Sequence, residues 1–442
     1  MKSQYFYKSV LALAILGLAS CKPSAESVNT VVPNKGNADF SRYIAVGNSL
    51  TSGYADGGLY LDGQKNSFPL MIAEQMKTVG GGSFSTAFFQ DSQSDGSGYK
   101  YIAGFNADGT PKIADQNTHT AVRGQVTIPG FGNVTLFTKY TGDLNNYGVP
   151  GIKLAHITYA PYGNLNGFYE RLLPGNAGTN NTKYLDFVTA KPFTFFSMWL
   201  GNNDILGYAT GGGVGDVPTP KGDFAALYNL AVSTLKKGGT GGAGAKGVVA
   251  TIPDVTATAY FRTVTLASIL ATVHASPGGA AVENIYIQPA SGPARPATAA
   301  DLFILPLGSA GLIGKADPKG PYGLSPYNPI ENKYVLDKDE VAIVNDYVAS
   351  YNATIRSVAA ANDLAIMDAN AMLKEYGSGK VVNGAVVSGA YITGNLFSLD
   401  GVHLTPMGYA ITANGFINAI NAKYGSSIPI VDVTKYRGVK FP

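Results

Sequence analysis

In Tyr43-Ile44-Ala45-Val46-Gly47-Asn48-Ser49-Leu50-Thr51, a short run of strand character enters a Gly-Asn-Ser turn. A serine on a tight turn at the end of a parallel strand is presented outward, with its own backbone N–H pointing the same way. An activated nucleophile needs that geometry. Gly-Asn-Ser is also a common way to turn a chain. The serine therefore gains a chemical meaning only if a base, a carboxylate and oxyanion donors follow it.

Outward from this stretch, the pattern alternates between buried strands and amphipathic helices. Residues 42–46 are apolar and β-branched, as in a buried parallel strand. Ser67-Phe68-Pro69 opens a helix with a serine cap and an early proline, continuing through Met76. Further strands are predicted at 145–151, 193–200, 246–252 and 364–367. Asp223 is expected to cap a helix whose apolar face is Phe224, Leu227, Tyr228, Ala231 and Leu235, stopped by Gly238. Asp337 and Glu340 have capping-box spacing ahead of a long amphipathic helix, and Thr405-Pro406 starts the last one. Strands separated by helices rather than hairpins predict an α/β fold with a parallel sheet and one core. Its ligand site belongs at the carboxyl ends of the strands. Ser49, Gly151, Asn203 and Asp254 all fall just past predicted strand ends.

Two stretches interrupt this alternation. Residues from about 80 to 140 carry short alternating runs between Asp-Gly and Pro-Gly turns, a β-rich insertion. Residues from about 275 to 335 are rich in Pro, Gly and Ala, a second insertion. Both are expected to wall the substrate cleft. Asp91 to Gly96 opens like a calcium loop, but Ile102 stands where the bidentate Glu belongs, so it reads as a polar loop. Gly242 to Gly247 carries three glycines in dinucleotide spacing but precedes a strand, which leaves no helix N-terminus for a phosphate.

The 442-residue chain is 14% charged and holds 55 glycines, 27 tyrosines and 20 phenylalanines, so it is loop-rich with a neutral polar surface. Its basic residues form no stripe, and nucleic-acid binding is not expected. The single cysteine, Cys21, excludes an internal disulfide framework and a thiolate metal cluster; no metal and no cofactor is expected. Lys2 and Lys8 precede an apolar run too short to span a bilayer, ending in Leu18-Ala19-Ser20-Cys21. This resembles a bacterial lipoprotein signal, which implies cleavage before Cys21 and lipidation of that residue. Loss of the two lysines takes the net charge from +3 to +1. Lys22 after the cysteine suits the outer membrane, so the chain is expected to be lipid-anchored in the cell envelope. The expected organisation is a signal peptide at 1–20, a flexible tether at 21–40, the main α/β domain at 41–425 and a tail at 426–442.

Four histidines offer candidate bases: His119, His156, His274 and His403. Only His403 has an acid three residues before it in a loop preceding a capped helix. Asp400 can curl back to accept Nδ1–H, leaving Nε2 free to take a proton from a serine hydroxyl. Acyl transfer also needs donors aimed at the oxygen that becomes negative. The N–H groups of Ser49 and Gly151 and the side-chain amide of Asn203 would supply three.

The stretches Gly47-Asn48-Ser49-Leu50, Gly148-Val149-Pro150-Gly151, Gly201-Asn202-Asn203-Asp204 and Asp400-Gly401-Val402-His403 together resemble the blocks of the SGNH hydrolases, the GDSL esterase/lipase family. The resemblance implies a three-layer α/β/α sandwich with a flavodoxin-like parallel sheet. It implies Ser49 as nucleophile, His403 as general base then acid, Asp400 as its orienting carboxylate, and Gly151 and Asn203 in the oxyanion hole. Asn48 departs from the usual Asp. The expected activity is ester hydrolysis through an acyl-enzyme, on a small-molecule, glycan or lipid ester. Two other readings use the same chain: an acyltransferase or deacetylase of envelope polysaccharide, and a non-catalytic glycan-binding surface lipoprotein.

Overall fold

The strands that position the site run, in chain order, β1 (Tyr43–Gly47), the hairpins β2 (Tyr99–Phe105) with β3 (Pro111–Gln116) and β4 (Val122–Ile128) with β5 (Gly132–Phe137), then β6 (Asn146–Gly148), β7 (Phe195–Trp199), β8 (Lys246–Ala250) and β9 (Ala365–Met367). The computed structural model describes residues 32–107 and 109–442. Cys21, the signal segment and most of the expected tether lie outside the described residues.

β1 and β6 to β9 form one sheet in the order β9-β8-β7-β1-β6, every pair parallel. Numbered by chain position, these five strands read 2-1-3-4-5, the order of flavodoxin-like doubly wound sheets. Alternate residues face opposite sides because the strand repeat is two. Ile44, Val46, Phe196, Met198 and Val249 belong to one core, and Tyr43, Ala45, Phe195, Trp199 and Val248 to the other. Sheets covered on both faces need such continuous apolar strands. Burying a side chain as fully as Phe195 or Phe196 contributes on the order of 2 kcal/mol.

The covering helices are α1 (Phe68–Met76), α2 (Asn203–Thr210), α3 (Lys221–Leu235), α4 (Lys338–Ala361) and α5 (Pro406–Tyr424). Phe224 and Tyr228 of α3 and Val344, Tyr351 and Ile355 of α4 pack on the first core. Phe68 and Ile72 of α1 and Phe416 and Ile420 of α5 pack on the second. The result is a three-layer α/β/α sandwich. Among the described residues no helix is long and apolar enough to cross a membrane.

The capping box at α4 is formed: the Asp337 carboxylate accepts from the Asp339 and Glu340 N–H groups, and the Glu340 carboxylate accepts from the Asp337 N–H. Two other helix starts differ from the sequence expectation. α3 begins at Lys221 with Pro220 at its cap, which places Asp223 inside the first turn, where a carboxylate suits the positive end of the dipole. Ser67 stands at the cap of α1, yet its hydroxyl is buried without a partner and makes no capping bond.

The described end of the expected tether packs on the domain. Asn34 bonds Ser427, the Asn37 N–H donates to the Tyr424 carbonyl, and Ala38 and Phe40 are buried in the second core. The tail is likewise packed, with Ile428, Val431 and Val433 in that core. The β-rich insertion folds as the two hairpins. The second insertion builds its own small cluster of Ile285, Ile287, Phe303 and Ile330.

Candidate active site

β1 ends in Gly47, and Asn48 begins a one-turn helix, Ser49–Ser52, by accepting the Leu50 N–H on its side-chain oxygen at 3.1 Å. An amide or a carboxylate oxygen can fill that role, so the asparagine keeps the turn. Ser49 is thereby fixed at the carboxyl edge of the sheet, beside the point where the strand order reverses.

Its Oγ lies 2.8 Å from His403 Nε2, and His403 Nδ1 lies 2.9 Å from Asp400 Oδ2. An ionised carboxylate only accepts, so Nδ1 carries the proton and Nε2 is the acceptor for the serine hydroxyl. Asp400 is saturated with donors. Its Oδ1 takes the N–H groups of Val402 and His403 at 2.9 and 2.8 Å, and its Oδ2 also takes the Gly57 N–H at 2.8 Å. Burial alone would push this carboxyl up. The charge and hydrogen bond of His403, with the two backbone donors, outweigh it and hold the group well below the usual carboxylate range. Thr405 caps α5 through the Gly408 N–H, and Pro406 fills the first turn, so the loop holding His403 ends on a fixed helix.

Three polar side chains fix the segment around Gly151. Asn166 Nδ2 donates to the Pro150 carbonyl at 2.8 Å, and Asn203 Nδ2 donates to the Ile152 carbonyl at 2.9 Å. The buried Asp204 accepts the Leu154 N–H at 2.7 Å and the Thr219 hydroxyl at 2.7 Å. Gly151 has φ +80°, a left-handed conformation that favours glycine. The N–H groups of Ser49 and Gly151 have no partner among the described residues. Ser49, Gly151, Asn203 and His403 all line one open cleft of about 590 Å³.

The other candidates are elsewhere. Asp254 spends its carboxylate on Thr256 and does not line the cleft. His119 is exposed, and its N–H donates to Asp95, a residue of the loop that resembled a calcium site. His274 bonds the Val282 carbonyl. His156 accepts the Lys153 N–H on Nδ1 and stacks on Tyr162 with centroids 4.3 Å apart. Burial, helped by Lys153, lowers its pKa from 6.5 to about 4. A histidine kept neutral in the fold but free to charge when unfolded stabilises fully above the unfolded value and progressively less below it. Thermal melts are expected to show stability falling from about pH 6.5 toward pH 4, with a shallower fall in His156→Gln.

Residues not anticipated from sequence support the site. Asp56 is buried, accepts the Leu399 N–H at 2.9 Å and the Tyr60 hydroxyl at 2.6 Å, and donates its own N–H to Ser398. It thus clamps the segment leading into Asp400. Tyr54 packs its ring on His403, centroids 4.6 Å apart. No residue of the second insertion lines the cleft; the wall comes from Ser97 and the β4–β5 hairpin of the first. The expectation that both insertions wall the site is corrected on this point, because the second folds around its own cluster.

No protein-family model matches the chain, and no curated protein matches it. Among solved structures it is similar to LAE5, an alpha/beta hydrolase enzyme from the metagenome of Lake Arreo, at 10% identity over 87% of this chain and 97% of that one, TM-score 0.36. It is also similar to an extracellular lipase from Streptomyces rimosus, at 12% identity over 87% and 99%, TM-score 0.34. A candidate SGNH hydrolase from Slackia heliotrinireducens gives 13% identity over 88% and 100%, TM-score 0.30. With likeness that slight, the case for chemistry rests on the atoms of the site.

Proposed function

We propose that this chain is a serine-dependent ester hydrolase. The observation that carries the reading is the unbroken series Ser49 Oγ, His403 Nε2, His403 Nδ1 and Asp400 Oδ2, with successive polar contacts of 2.8 and 2.9 Å. Nε2 takes the hydroxyl proton as Oγ attacks the ester carbonyl, and Asp400 stabilises the imidazolium that forms. The oxygen that becomes negative is met by the N–H groups of Ser49 and Gly151 and by the second amide hydrogen of Asn203. The imidazolium then protonates the leaving alcohol. Water, activated by the same nitrogen, releases the acid from Ser49.

A fluorophosphonate is expected to label the wild-type chain at Ser49 and to leave Ser49→Ala unlabelled. Equal labelling of both proteins would reject the assignment. Asn203→Ala removes one oxyanion donor and is expected to cut kcat by about 100-fold or more, with a much smaller change in KM. A thermal melt separates this from unfolding, since only the bond to the Ile152 carbonyl is lost from the fold. An unchanged kcat would take Asn203 out of the oxyanion site.

A further inference from the structure

The β4–β5 hairpin has little reason of its own to be ordered, since an isolated two-stranded ribbon is marginal in water. It is tied down at its base. Arg123 donates to the Phe137 carbonyl at 2.9 Å and to Glu170 at 2.7 Å, and Lys139 meets the same Glu170 carboxylate at 2.6 Å. Glu170 has no exposed side-chain surface. At Gly167 the contact is so close that a Cβ would lie 1.8 Å from the Thr135 carbonyl oxygen. A buried carboxylate shared by two cations is an expensive arrangement, and here it holds the ribbon against the cleft.

The ribbon continues an aromatic path that begins at the catalytic imidazole. His403 packs on Tyr54 at 4.6 Å, Tyr54 meets Phe168 edge-on at 6.3 Å, and Phe168 stacks on Phe137 at 4.6 Å. Val134 and Phe137 turn their side chains inward, whereas Phe131, at the tip, lines the cleft while 59% exposed. Leu165 and Leu206 complete the apolar lining. Apart from His403, no residue lining the cleft is of an acidic or basic type. An anionic head group would find no cation there, whereas a hydrocarbon would find Tyr54, Phe131, Val134, Phe137, Leu165, Phe168 and Leu206 among uncharged polar neighbours.

We propose that the β4–β5 hairpin is the specificity element of the site, and that it selects uncharged esters carrying a hydrocarbon chain, with Phe131 closing the far end of the chain's groove. This rests on the ester-hydrolase reading for the reaction, but the groove can be tested without turnover. The hydrocarbon belongs to the acid or the alcohol side of the ester, and the shared chemistry is the hydrocarbon itself.

The test compares 4-nitrophenyl octanoate with 4-nitrophenyl acetate for the acid side, and octyl acetate with ethyl acetate for the alcohol side. Phe131→Ala is expected to lower the long-to-short ratio of kcat/KM by about tenfold in one of the two pairs. Gly167→Ala, which pushes the ribbon away, is expected to shift the same ratio in the same direction. Equal losses on long and short esters in both pairs would overturn the proposal. So would a Phe131→Ala loss confined to an acetylated oligosaccharide, with the octyl and octanoyl esters spared. If the wild-type chain turns over none of these esters, the hydrolase reading fails and calorimetry judges the groove alone. Octyl acetate binding to Ser49→Ala, weakened when Phe131→Ala is added, supports the groove; no binding, or binding indifferent to Phe131, overturns it.

Discussion

Ser49→Ala is expected to abolish ester turnover, with kcat falling by about 10⁶-fold, the scale seen when a triad nucleophile is deleted. The change removes only an oxygen whose principal contact is His403 Nε2 at 2.8 Å. The turn that carries it is held by other atoms: the Asn48 side chain caps Leu50, and the Ser52 hydroxyl donates to the Ser49 carbonyl at 2.8 Å. The fold should therefore survive, and a melting temperature close to wild type is the control. His403→Ala should cost a similar factor, and the double variant should cost little more than either, because the two groups act as one unit. Additive losses in the double variant would mean that Ser49 and His403 do not share a proton.

Asp400→Asn is expected to lower kcat by about 10⁴-fold. The reason is the direction of one hydrogen. With a carboxylate at position 400, Nδ1 must donate, and Nε2 faces Ser49 as an acceptor. An amide can turn its NH₂ toward Nδ1, which then holds the wrong tautomer and leaves Nε2–H pointing at the nucleophile. The backbone donors from Gly57, Val402 and His403 also lose a charged acceptor. Some loss of stability should accompany the loss of rate. Steady-state kinetics and a thermal melt on the same preparation separate the two. A variant that keeps wild-type kcat would show that Asp400 does not orient the ring.

Much of this arrangement was legible in the sequence because it is built from local signals. Continuous apolar runs marked β1, β7 and β8, and the Asp337–Glu340 and Thr405–Pro406 signatures marked two helix starts. The four short blocks placed Ser49, Gly151, Asn203 and the Asp400–His403 pair on one edge of the sheet. What stayed hidden were partnerships between distant single residues. Asp56 and Leu399 are 343 positions apart, and nothing in the neighbourhood of either points to the other. Asn166 carries no signal of its own in the sequence, yet its amide steadies the Pro150 carbonyl beside Gly151. The alternation in β4 and β5 announced a hairpin, but only the missing Cβ of Gly167 and the buried Glu170 determine where it docks. The second insertion looked like a wall because it was long and irregular; most of its buried apolar residues instead pack on one another, with Leu302 and Ile304 joining the first core.

Ser49 and the imidazole hydrogen-bonded to it are separated by 354 residues of chain. Until α5 has formed and carried His403 across the sheet, that hydroxyl is an ordinary alcohol with no proton acceptor. On the ester-hydrolase proposal, a chain that has not yet folded is therefore chemically silent. On that reading it becomes reactive only when the segments holding Ser49 and His403 meet, which would make reactivity itself a report that this part of the chain has folded.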